Sequence, residues 1–148
     1  MNTEKKNLIV PVDSKLDLDR FKIHKSHFSV CETIKRMEEE VKAQHGIVFG
    51  TVDHAANAKA IHQELRPTQV IMFGLPEVGS ELIKANQSIA LFLPSKIVVW
   101  EDSYGNVWAA YQRMESVAHE MGVKLDHNMV KINIFLKNVL CAGCGCEQ

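Results

Sequence analysis

The runs KIVVWE (96–101) and NVWAAYQ (106–112) flank the turn residues DSYG. Both runs are rich in β-branched and aromatic residues, and a glycine-bearing turn joins them, which is the pattern of a β-hairpin. A hairpin commits the chain to a sheet with at least one antiparallel pair. A sheet in turn needs an apolar cover on at least one face. The chain is long enough to supply that cover within one domain. It has 148 residues, of which 46% are hydrophobic and 24% charged, the proportions of an ordinary globular protein with its own core.

The remaining elements follow from periodicity. In RFKIHKSHF (20–28), Phe21 and Ile23 alternate with polar neighbours, which predicts a strand. Ser29 and Glu32 have the spacing of a capping box. They open a helix with Val30, Ile34, Met37 and Val41 on one face, ended by Gly46. IVFGTVD (47–53) is a second strand. Asp53 then caps a helix expected to carry Ala58, Ile61 and Leu65 on one face, with Pro67 after its end. QVIMFG (69–74) is a third strand, and Pro76 suits the first turn of a helix that turns Val78, Leu82 and Ile83 inward. SIALFLP (88–94) fits either state. Beyond the hairpin, a short helix reaches Met121 and stops at Gly122.

After Asp126 two patterns compete. Val130, Ile132, Ile134 and Leu136 alternate like a strand, whereas Met129, Ile132, Leu136, Val139 and Leu140 form a helical face. The length of the run and the Asp126 cap favour helix. The expected class is α/β in an α+β-like form: a two-layer sandwich with a sheet of about five strands, mixed or antiparallel, and helices packed on it. Residues 1–17 read as an arm, 18–140 as one globular domain and 141–148 as a cysteine-rich tail.

Charge narrows the function. The formal net charge is -1 and the basic residues are scattered, so neither nucleic acid nor an anionic membrane is an expected partner. MNTEKKNLIVPVD lacks the apolar core of a signal peptide. No apolar run reaches the roughly 18 residues that a membrane span needs. A cytoplasmic location is the expectation, and there cysteines serve metal or redox chemistry more often than structural disulfides.

Candidate ligand-binding residues are Asp53, His54, Arg66 and Thr68. Asp53 and His54 sit at the positive end of a helix, and Arg66 could hold a carboxylate or phosphate in bidentate fashion. If the helix starts at Asp53 and at FGLPE (73–77) lay side by side, they would form an anion-friendly crevice. No glycine-rich phosphate loop is present. The bland alternatives are a cap with a packed His54, and an Arg66 that bonds the last helix carbonyls. Gly79 interrupts a helical pattern at a cost of about 1 kcal/mol against alanine, which suggests close approach of another backbone. The seven histidines make no convincing chelate.

Cys141, Cys144 and Cys146 fall within six residues, with Gly143 and Gly145 between them. The flexible glycines would let three thiolates converge on a soft ion such as Zn or Cu(I), with a fourth ligand from elsewhere for zinc. Against thiol redox chemistry stands the position of Cys141 at a helix C-terminus, which disfavours thiolate. A solvated tail is the third reading. Cys31 flanks the buried face of its helix, so packing is expected for it.

The middle of the chain also resembles a known family. Asp53-His54, Arg66-Pro67-Thr68, Phe73-Gly74-x-Pro76, Leu93-Pro94, Trp100-x-Asp102 and Tyr111 occur in an order and spacing that are similar to the domain-of-unknown-function 302 family, over roughly residues 19 to 140. The resemblance implies a compact two-layer α/β fold ending in a helix, often as a homodimer, and no settled reaction. The cysteine-rich end lies outside the family pattern. Together these readings describe a cytoplasmic homodimeric binding module with a candidate soft-metal site at the cysteines. The alternatives are an enzyme acting on a small anionic molecule around Asp53, His54 and Arg66, a thiol redox or sulfur-carrier protein, and a purely structural dimer.

Overall fold

In the computed structural model, residues 10, 11 and 13–146 are described. The strands are β1 (Phe21–Ser26), β2 (Ile47–Asp53), β3 (Thr68–Gly74), β4 (Ser95–Glu101) and β5 (Val107–Gln112). The helices are α1 (Val30–Ala43), α2 (His54–Ala60), α3 (Pro76–Ala85), α4 (Met114–Met121) and α5 (His127–Cys144), and the ambiguous stretch before β4 is a 3-10 turn, Gln87–Phe92. The strands form one sheet in the order β1-β5-β4-β3-β2, and every pair is antiparallel. The hairpin is β4–β5, with Trp100 opposite Trp108.

Local chemistry sets most helix ends as the sequence indicates; α1 is the exception, stopping at Ala43 with the left-handed residue at His45 (φ 62°) and not at Gly46. Ser29 Oγ accepts the Glu32 N–H at 3.1 Å, and Asp126 Oδ1 accepts the Met129 N–H at 2.9 Å. Each such cap is worth about 1 kcal/mol. Gly122 ends α4 with a left-handed φ of 67°, a conformation that disfavours side chains.

Helices cover one sheet face. Ile71 and Phe73 of β3, Ile97 and Val99 of β4, and Ala109 and Tyr111 of β5 share a core with Met37 and Val41 of α1 and Phe135, Val139 and Leu140 of α5. Burying each large apolar side chain contributes roughly 1.5–3 kcal/mol of transfer free energy. Ser26 and Thr33, both buried, satisfy each other with a 2.6 Å hydroxyl bond between β1 and α1.

Among the described residues, the other sheet face carries no helix. Val70, Met72, Val98 and Trp100 stand there half-buried, and Trp108 and Ala110 are buried but lie outside the helix-side core. Part of the N-terminal segment crosses this face, where Asp13, Ser14 and Leu16 line a hollow with Val98 and Trp100.

Three further expectations change. The helix after Asp53 stops at Ala60, because the chain turns at His62 with a left-handed φ of 62°. Ile61 and Leu65 are therefore 69% and 51% exposed instead of forming a buried face. No backbone crowds Gly79, since a Cβ there would meet only Leu93 Cδ1, at 3.9 Å. Finally, α5 continues through Cys144, so the boundary drawn at 140 falls inside a helix. Of the expected arm, residues 1–9 and 12 lie outside the described residues.

Candidate functional site

Antiparallel pairing decides the fate of the expected anion crevice. Asp53, at the end of β2, pairs with Gln69 at the start of β3, whereas Ile47 pairs with Gly74 at the other end. The starts of α2 and α3 therefore lie at opposite ends of the sheet and cannot flank one ligand. Asp53 does cap α2, its Oδ1 accepting the Ala56 N–H at 2.9 Å. His54 is exposed rather than packed. Arg66 donates from Nε to the carbonyl of Glu101 at 3.2 Å, and Thr68 Oγ1 donates to the Arg66 carbonyl at 2.9 Å. The Arg66 bond, with the Glu101 N–H on the Pro67 carbonyl at 3.0 Å, staples the segment before β3 to the end of β4.

Asp53 and Arg66 do share an open groove of about 1010 Å³, with Lys59, Glu64 and Glu101 also on its walls. His54 and Thr68 are not among its lining residues. Cys31 opens onto it as an exposed free thiol, where packing was expected. The mixed charges of this groove favour no single ligand class.

A second cavity, about 330 Å³, lies at the opposite end of the sheet. Phe49, Gly74, Leu75, Gly79, Ile83 and Leu93 contribute to its walls, and Ile132 and Phe135 of α5 also line it. Each element has a reason to be there. The register of β2 slips between Val48 and Gly50, and this bulge leaves Phe49 57% exposed beside the cavity. Pro76 starts α3 directly after β3, so the first turns of that helix form a wall. Gly79 keeps the cavity open because it has no side chain. Ser80 and Ser95 are the polar side chains on the lining, and no charged residue lines it. The sequence reading missed this site. Two signals pointed to it: the costly glycine in α3, and Gly50 inside the run IVFGTVD, since a glycine within a strand often marks a bulge.

The three clustered cysteines do not converge. Cys141 and Cys146 are joined in a disulfide, and Cys144 points into the core with no exposed surface. Burial pushes the Cys144 thiol up to about 12, opposed by a hydrogen bond with Ser26. Among the described residues, no group of three or more His, Cys, Asp or Glu side chains could hold a metal ion. The physical reason lies in the helix: α5 continues through Cys144 and commits that side chain to the core beside Ser26, where it is not free to join the other two sulfurs.

The Asp102 carboxylate is a structural knot. Trp108 Nε1 donates to its Oδ2 at 2.8 Å, and the backbone N–H groups of Tyr104 and Asn106 donate to Oδ1 at 2.9 Å each. The Trp108 bond holds the carboxyl below its ordinary value; burial opposes this, and the two N–H groups and nearby Arg66 reinforce it. These bonds fix the β4–β5 turn and give Asp102 a structural role. Tyr111 lies in the core, where burial raises its phenol.

Residues 22–140 match the family model described as a domain of unknown function, DUF302. A crystal structure of an uncharacterized conserved DUF302 protein from Bacillus stearothermophilus has the same fold, with a TM-score of 0.69 at 19% identity, covering 86% of this chain and 98% of that one. The chain is also 36% identical over 118 residues to a protein named fluoride-specific ion channel FluC 1 from Brucella suis biovar 1. It shows the same identity to one named FluC 2 from Brucella melitensis biotype 1. The match covers 78% of this chain but only 46% and 43% of those proteins, so the chain spans under half the length of these relatives. Among the described residues, no helix is long and apolar enough to cross a membrane.

Proposed function

The chain belongs to the DUF302 family, and from that premise we propose that it is a cytoplasmic binding module whose cleft beside α3 takes a small, neutral, apolar molecule. One observation carries the reading: a cavity of about 330 Å³ whose lining is mostly apolar and uncharged, left open by Gly79. Ligand pockets of this kind, apolar with a few polar groups for orientation, start at roughly 300 Å³. With no cation or carboxylate on the walls, a charged ligand would lose its hydration and gain no partner. A module reading also suits a stretch that makes up less than half of longer relatives named for a channel.

N-phenyl-1-naphthylamine, a neutral dye that brightens in apolar surroundings, tests this. Wild-type protein is expected to bind it saturably. Gly79→Leu should fold normally, because the added side chain points into the cleft and replaces a poor helix former. It should weaken binding at least tenfold, or about 1.4 kcal/mol. Equal binding by a folded leucine variant would remove the cleft from consideration.

The helix-free sheet face supports a second part of the proposal, that the module works as a homodimer. Two copies packed through Val70 and Met72, beside the N-terminal segment that lies over Val98 and Trp100, would complete the burial of an apolar sheet surface that a monomer leaves half in water. Sedimentation should give a dimer that Met72→Lys converts to monomer; a monomeric wild type at high concentration would end this reading.

A further inference from the structure

We propose that Cys141 and Cys146 form a reactive thiol–disulfide pair that exchanges electrons with a dithiol partner. The two sulfurs are bonded across the last turn of α5, and each residue is partly exposed. Three features set this pair apart from a structural staple. First, it spans only five positions, the short end of the range, where a crosslink restricts the unfolded chain least.

Second, the helix end is held without it. The Gly145 N–H bonds the Cys141 carbonyl at 3.0 Å, the His27 N–H bonds the Cys144 carbonyl at 3.0 Å, and Arg36 Nε donates to the Ala142 carbonyl at 3.0 Å. The oxidised and reduced forms therefore share one fold, as a reversible couple requires. Third, the Arg36 guanidinium lies beside this turn, its Nε bonded to the Ala142 carbonyl. A cation at a helix C-terminus offsets the negative dipole end that would otherwise disfavour a thiolate there. Cys144, fully buried, stays out of the exchange. In a reducing cytoplasm, disulfides that do occur are mostly catalytic or redox-sensing.

The chemistry balances as follows. A partner thiolate attacks the Cys146 sulfur, which lies past the helix end. The Cys141–Cys146 bond breaks, and the Cys141 sulfur leaves with the electron pair and takes up a proton. The partner's second thiolate then attacks its own sulfur in the mixed disulfide and releases the Cys146 thiolate, which takes up a second proton. The partner is oxidised to its disulfide, and the pair is reduced by two electrons and two protons.

The test uses the full chain in Cys31→Ser form, equilibrated in glutathione buffers of graded ratio and then alkylated. Two thiols per chain are expected to appear together, map to positions 141 and 146, and disappear again on return to oxidised glutathione, with an unchanged near-ultraviolet circular dichroism spectrum. The Cys141→Ser variant should trap glutathione on Cys146 at least tenfold more than on Cys144. The proposal fails if the disulfide opens only when the chain unfolds, which marks a staple. It fails equally if the pair stays closed at every ratio, if glutathione lands on Cys144, or if the reduced protein takes up stoichiometric zinc or copper.

Discussion

Phe73→Ala is expected to destabilise the protein by about 3–5 kcal/mol, the range for truncating a fully buried phenylalanine. Phe73 sits on β3 with no exposed surface, and its ring meets Phe135 of α5 edge-on with centroids 5.6 Å apart. β3 is bonded on both sides, to β2 and β4, so the backbone has little freedom to close the void. For a domain whose total stability is about 5–15 kcal/mol this is a large share. The melting temperature should fall by roughly 10 to 20 °C. Phe73→Leu, which keeps most of the volume, should cost distinctly less. A loss below about 1 kcal/mol for the alanine variant, read from urea midpoints at constant slope, would contradict the core as described.

Gly143→Val should be nearly as damaging, for the opposite reason. Gly143 is where α5 presses on α1. A Cβ there would run into Met37 Cγ and stand 3.2 Å from the Thr33 carbonyl oxygen. The methionine can move in part; the Thr33 backbone, inside a helix and buried, cannot. Overpacking of this kind costs about 1–3 kcal/mol, and the branched valine should lie at the upper end or above it. Met37→Ala on the same background should recover part of the loss, because it clears the nearer contact, and the double variant measures that coupling. A valine variant as stable as the parent would show that α1 and α5 are not in contact at this turn.

Much of the fold was legible in local chemistry. Ser29, Asp53 and Asp126 each announced a helix start, and each does cap one. The hairpin was legible because turn residues and β-rich runs coincide, and α5 because its apolar face outlasts any strand. What failed depended on pairing between distant segments. Ile61 and Leu65 keep helical spacing with Ala58, yet the left-handed turn at His62 ends α2 before the pattern has anything to bury. The two helix starts looked like one crevice in the sequence, and antiparallel register sends them to opposite ends of the sheet. The candidate site was legible only in part. Asp53 and Arg66 do share a groove, but the apolar cleft rests on a bulge at Phe49 that no periodicity records. The cysteine spacing allowed three sulfurs to meet; the continuation of α5 turned one of them inward.

The most direct test of the cleft is an amide chemical-shift titration of the isotope-labelled protein with indole, a small neutral molecule of suitable size. Saturable shifts are predicted at Gly74, Gly79, Ser80 and Ile132, with the far groove at Arg66 and Lys59 unmoved. Shifts confined to the helix-free sheet face around Val70 and Met72, or none at saturating indole, would contradict a ligand-binding cleft beside α3.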